Sequence, residues 1–343
     1  MDISGVNLQS IQIVIPPASG GGGTNTPGPL ELRNGRNGAT SYVGGPTGNS
    51  FTITSGNVIS VSVDSVTAGN VWANSVLGDS NQSYGFAAYG NGTYVLLNGL
   101  VDSGDNIAIS TNGYNWQLSP APGLGANRGG AIVYGDKFVR LQGLFGSPSS
   151  TVWYSTDGTN WTSADVGLVS YWRDVAYGGG RYVAVSESSQ TQAVTSGDGI
   201  TWNTVSMPAT AQWTSVTYAA GRFVAIGNNG NRAAYSTDGN TWTGATLPAN
   251  TNWIDVAYGN GTFLAVAVNG NTTWSRDNGQ TWANGLPNGG VGPWDGNSFF
   301  QRSLAGGSDI LVITNTSVQP PITWYSADGG NNWANVYREV LPF

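Results

Sequence analysis

Short apolar runs that alternate with polar residues, joined in pairs across glycine-rich turns, recur along most of the chain. They read FAAYGNGTYVLL (86–97), AIVYGDKFVRL (131–141), VAYGGGRYVAV (175–185), VTYAAGRFVAI (216–226) and VAYGNGTFLAV (256–266). Two period-two runs around such a turn predict a tight β-hairpin. Gly-Asn-Gly supplies the positive φ that the turn requires. No stretch of useful length shows helical periodicity.

A second pattern follows each hairpin. STNGYNW begins at Ser110, STDGTNW at Ser155, SGDGITW at Ser196 and STDGNTW at Ser236. SRDNGQTW and SADGGNNW follow at Ser275 and Ser326. The closing tryptophans are Trp116, Trp161, Trp202, Trp242, Trp282 and Trp333, spaced 40 to 51 residues apart. A faded copy ends at Trp72. Another tryptophan opens the hairpin at positions 172, 213, 253 and 294, and a third kind precedes the box at 153, 274 and 324. Every tryptophan therefore has a place in the repeat. Each unit reads as four short strands, a to d, and four strands recurring every ~40 residues predict a β-propeller. The expected fold is all-β, with six to seven four-stranded blades. Stacking around an axis buries the two faces that one blade cannot bury alone.

The boxes resemble the Asp-box, or BNR repeat, S-x-D-x-G-x-x-W. The copies at Ser275 and Ser326 have its full length, those at 155, 196 and 236 are one residue shorter, and Asn112 replaces the aspartate in the copy at 110. The resemblance covers roughly residues 80 to 343 and implies that each box is the turn between strands c and d. Asn112, Asp157, Asp198, Asp238, Asp277 and Asp328 are then structural, accepting backbone N–H bonds within their own turns. Trp116, Trp161, Trp202, Trp242, Trp282 and Trp333 are expected to pack between blades. One carboxylate per turn is too few for a calcium site, so no metal is assigned.

Three segments are expected. Residues 1–33 form an anchoring arm and Gly/Pro linker, in which IQIVI (11–15) could add to the edge of a neighbour's sheet. Residues 34–80 form a degenerate first blade or small β segment. Residues 81–343 form the Asp-box propeller. The arm lacks the basic start and long apolar run of a secretory leader.

Composition narrows the function. The 343 residues include no Cys and no His. That excludes disulfides, Ser-His-Asp or Cys-His catalysis, and zinc or haem sites of the usual kind. No cofactor is expected. Net charge is −7 with 12 Lys and Arg, which argues against nucleic acid. No apolar window is long enough for a membrane helix. Only 9% of residues are charged, yet 39% are hydrophobic and 11% aromatic, enough for a large core.

Sialidase activity, the best-known one implied by the resemblance, needs an arginine triad, a Tyr–Glu pair and an Asp acid/base. The Arg-Ile-Pro motif of sialidases is absent, and the glutamates Glu31, Glu187 and Glu339 are scattered. Arg181 and Arg222 repeat one turn position on different units. Asp174 and Asp255 hold equivalent strand-a positions on units four and six, counting the faded copy as unit one. Strand a lines a propeller's channel, so the two carboxylates could meet there as glycosidase carboxylates do, but their separation around the ring leaves contact open.

The function expected from these features is a non-enzymatic structural or receptor-binding protein of a virus particle, such as a tail fibre or spike of a tailed phage. Its N-terminal arm would join neighbouring virion proteins in a larger assembly, and its propeller would dock or recognise a host surface glycan or protein. A carbohydrate-active enzyme or lectin, or an intracellular assembly factor, is the alternative. The a–b turns and boxes are uniform, whereas the b–c and d–a loops vary, so partner contact is expected on the loops, near Phe145, Tyr171 and Trp294.

Overall fold

The computed structural model describes residues 31–33, 40–42, 84–98, 106–113, 115–120, 129–142, 148–188, 190–287, 302–306, 311–315 and 322–336. Among them every regular element is a β-strand, apart from single turns. β1 (Glu31–Arg33) pairs with β2 (Thr40–Tyr42). The remaining strands form six antiparallel four-stranded units, each paired in the order a-b-c-d.

Unit two is β3 (Tyr84–Gly90), β4 (Thr93–Asn98), β5 (Asn106–Ser110) and β6 (Gln117–Pro120). Unit three is β7 (Gly129–Tyr134), β8 (Phe138–Gln142), β9 (Ser149–Ser155) and β10 (Thr162–Ser170). Unit four is β11 (Trp172–Gly178), β12 (Arg181–Ser186), β13 (Gln190–Ser196) and the first half of β14 (Asn203–Ala219). The second half of β14 opens unit five, followed by β15 (Arg222–Asn228), β16 (Gly230–Ser236) and β17 (Thr243–Thr251). Unit six is β18 (Trp253–Gly259), β19 (Thr262–Ala267), β20 (Thr272–Ser275) and β21 (Ala283–Asn284). Unit seven is β22 (Arg302–Gly306), β23 (Leu311–Asn315), β24 (Ile322–Ser326) and β25 (Ala334–Val336). The a strands β3, β7, β11, β14, β18 and β22 contact one another in that order, as the inner strands of a propeller do. Most of residues 34–80, the expected first unit, lie outside the described residues.

The core consists of layers between units. Trp161 packs with Val95 and Leu97 of unit two and Phe138 of unit three. Trp202 repeats this between units three and four, and Trp242 between four and five. Trp282 and Trp333 are part-buried against the next two layers. Trp116 is part-buried against Leu96 and Ala108 of its own unit.

Close approach explains some of the glycines. A Cβ on Gly178 would lie 1.9 Å from the ring of Tyr218 on the following unit, and one on Gly90 equally close to Tyr134. The a–b turns use left-handed backbone, with φ of 47° at Asn91 and 44° at Asn260. That conformation is available at low cost mainly to Gly, Asn and Asp.

The a strands of units four, five and six each carry one irregularity with a consequence for the site. The register shifts between Trp172 and Asp174, between Trp213 and Ser215, and between Trp253 and Asp255. A bulge adds one residue to a strand and changes which face the following side chains take. Without it, Trp172 and Asp174 would share a face. With it, Trp172 joins the layer toward unit three, and Asp174 reaches unit five.

Candidate functional site

The boxes are self-contained turns. In the copy at Ser155, the Ser155 hydroxyl donates to Asp157 Oδ1 at 2.9 Å, and the same oxygen accepts the Thr159 and Asn160 N–H groups at 2.8 Å each. Ser155 Oγ accepts the Gly158 N–H at 2.9 Å, and Trp161 Nε1 donates to the Gly158 carbonyl at 2.9 Å. The pattern repeats at Asp198, Asp238, Asp277 and Asp328. Asn112 substitutes without loss of the key bond, because its amide oxygen accepts the Asn115 N–H at 2.9 Å.

Partial burial would raise the Asp157 carboxyl, but the N–H groups and Asn160 outweigh it and hold the group down at about 2. Asp198, Asp277 and Asp328 are lowered in the same way, and Asp238 chiefly by the Thr241 N–H. These carboxylates face their own turns. Among the described residues no three His, Cys, Asp or Glu side chains gather as a metal site.

The box end of the propeller is also where units clasp one another. Asn91 Nδ2 donates to the Thr156 carbonyl at 3.1 Å, Lys137 Nζ to the Asp198 carbonyl at 2.6 Å, and Asn260 Nδ2 to the Ala327 carbonyl at 2.9 Å. In each case the a–b turn of one unit holds the box of the next. Arg181 follows suit, with Nη1 3.4 Å from Asn240 Oδ1. Arg222 lies with its guanidinium 4.9 Å from the ring centre of Tyr235. Both arginines are part-buried, Arg181 against the next unit and Arg222 against its own, not the freely solvated side chains that their turn positions suggest.

The a strands bring Asp174 and Asp255 together through a residue not singled out from the sequence. Ser215 holds the matching position on unit five, and its Oγ lies 2.9 Å from Asp174 Oδ2 and 2.9 Å from Asp255 Oδ1. Asp174 also accepts the Val175 and Val216 N–H groups at 2.8 and 2.9 Å, and Asp255 accepts Val256 N–H at 2.9 Å. Ser303 on β22 occupies the next matching register, opposite Thr314. Comparison of strand-a positions alone would have found Ser215.

A serine hydroxyl has one proton. Two contacts of hydrogen-bond length to carboxylates therefore require a second proton, supplied by a carboxyl. Burial among packed strands pushes the Asp174 carboxyl up to about 6, against the Val216 and Val175 N–H groups, the Ser215 hydroxyl and the Arg173 charge, all of which pull it down. Ser215 is only 2% exposed, so no dissolved substrate reaches its hydroxyl. The trio acts chemically as a shared-proton tie across three units.

The tie gives a pH dependence of known sign. Unfolded, Asp174 titrates near its ordinary 3.8; folded, near 6. The native state holds an extra proton between these values. Its contribution is full below about pH 4 and is lost as pH rises through about 6. Asp174→Asn should remove this slope, worth at most about 3 kcal/mol from the shift. Urea unfolding of both proteins at pH 4.5 and 7.5 checks it; equal pH dependence in the two would contradict the tie.

Of the residues expected to meet a partner, Tyr171 lies at the junction of units three and four and is 37% exposed. Val169 beside it is 64% exposed. Phe145 and Trp294 lie outside the described residues.

No family model and no curated protein sequence matches the chain. Solved structures share its fold. A streptogramin B lyase superposes with a TM-score of 0.60 at 10% identity, covering 75% of this chain and 83% of that one. YCF48 from Cyanidioschyzon merolae gives 0.54 at 14% identity, over 74% and 84%. YCF48 bound to a D1 peptide gives 0.51 at 18% identity, over 71% and 77%. At these identities the likeness extends to the fold.

Proposed function

We propose that this chain is a non-enzymatic recognition or docking module of a virus particle, of the tailed-phage kind, built on Asp-box repeats. The N-terminal arm joins neighbouring virion proteins, and the propeller presents its b–c and d–a loops to a host surface or a second virion protein. One observation carries the reading: the two ends of the propeller are used differently. At the box end the polar groups are engaged in their own turns and in clasps between units. The loops of the opposite end vary in sequence from unit to unit, and that end exposes Tyr171 and Val169. Irregular loops on a rigid scaffold are where recognition is usually placed.

Two further features support the reading. The trio at Asp174, Ser215 and Asp255 offers no reachable nucleophile, and the low charge with abundant glycine suits an extracellular appendage. Deletion of residues 1–30 should leave the melting temperature unchanged and remove the protein from purified particles, as read by mass spectrometry. Incorporation of the truncated chain at the normal level would sink the anchoring role.

A further inference from the structure

We propose that a groove of about 400 Å³ on unit five is a saccharide-binding site that favours an acidic sugar. The inference rests on the reading above, that recognition belongs to the b–c and d–a end, and names the ligand class for that end. Gln212 lines the groove from the middle of β14, where one unit passes into the next. Asn228 and Asn229 line it from the b–c turn, Asn231 and Arg232 from β16, and Asn250 from the end of β17.

The chemistry of the lining selects the ligand. Each carboxamide offers donors and an acceptor side by side, the pattern that neighbouring sugar hydroxyls satisfy. Among the described residues Ala211 is the lone aliphatic side chain in the wall. A peptide anchored by an aromatic or aliphatic residue therefore finds no pocket for its anchor. Among the described residues no carboxylate lines the groove. The Arg232 side chain is exposed and has no hydrogen-bond or ion-pair partner among the described residues. A cation left open beside five amides favours a sugar carrying a carboxylate.

The repeat does not impose this set of side chains. At the position of Gln212, units four and six carry Tyr171 and Asn252, and at that of Asn228 they carry Glu187 and Val268. The groove is also partly organised before any ligand arrives. Asn229 Nδ2 donates to Gln212 Oε1 at 2.7 Å, and Asn229 holds φ at 52°.

The test is binding of the full chain to an array of defined neutral and uronic-acid-containing oligosaccharides. Arg232→Gln, Asn229→Gly and, at the opposite end, Thr159→Ala are compared with it. Asn229→Gly preserves the left-handed backbone, and each variant is first checked by its melting temperature. Selective retention of acidic oligosaccharides is expected. Arg232→Gln should weaken it at least tenfold, Asn229→Gly should weaken retention of every sugar bound, and Thr159→Ala should change nothing. Retention of no saccharide, or equal retention by the groove variants, overturns the proposal. Parallel footprinting on the natural partner surface separates the two readings. Protection of the loops without saccharide binding removes the ligand class alone, whereas protection of the boxes removes the face assignment as well.

Discussion

Trp242→Ala should destabilise the propeller by about 3–5 kcal/mol, the range for a buried aromatic truncated in a core that cannot collapse. Trp242 is 8% exposed and sits in a layer with Val183 and Val185 of unit four and Phe223 and Ala225 of unit five. Strands on both sides of the void are fixed by their own ladders, so the cavity persists. The box aspartate beside it acts on a smaller scale. Asp238 accepts the Ser236 hydroxyl and the Asn240 and Thr241 N–H groups at its Oδ1. Its side chain faces solvent, so water replaces much of what is lost, and Asp238→Ala should cost about 1 kcal/mol, as for a lost turn or cap bond. Denaturant titration of both variants checks the ratio. In both, the fraction that remains folded should keep its partner binding. An Asp238→Ala protein with normal stability but no binding would show that the boxes are a contact surface.

Gly239→Ala is the second large effect, for two separable reasons. Gly239 has a φ of 68°, where an L side chain costs about 1–2 kcal/mol. A Cβ there would also lie 2.7 Å from Val183 Cγ2 and 2.9 Å from Arg181 Cδ on the preceding unit. Val183 is fully buried and cannot yield, so overpacking adds about 1–3 kcal/mol. Gly221 provides the control. Its φ is 75°, and nothing lies within 4 Å of a Cβ placed there. Gly221→Ala should therefore pay the backbone cost alone. Equal losses in the two variants, measured by denaturant titration, would contradict the tight inter-unit packing of the box glycine.

The parts of the fold legible in the sequence are those the repeat forces on every unit. Hairpin turns need positive φ, and boxes need a short acceptor at one position, a glycine at the next and a tryptophan to close. These requirements are local, so they appear as fixed spacings. The tie at Ser215 was half legible. Asp174 and Asp255 stand out as carboxylates in equivalent places, but the hydroxyl between them belongs to the commonest polar chemistry in the chain. Contact also depends on the bulge that turns β11, β14 and β18 after Trp172, Trp213 and Trp253, and no residue pattern in WRDVAYG announces it.

The groove on unit five was not legible at all. It arises where the run from Met207 to Trp213 passes between units without a turn, so that Gln212 meets Asn229, seventeen residues away. Variation among the b–c loops directs attention to one end of the molecule and not to a place on it. Two of the three aromatic side chains expected there lie outside the described residues, so Tyr171 alone represents them.

The central claim is that the two ends of the propeller divide the work, with cohesion at the boxes and recognition at the loops. Under the proposed virion role, hydroxyl-radical footprinting of the protein on the particle, with and without host envelope added, measures this division directly. The account predicts protection by the host envelope at residues 169–171, 187–188 and 228–232, and unchanged reactivity at the box turns 156–160 and 237–241. Protection of the box turns with the loops left reactive would contradict it.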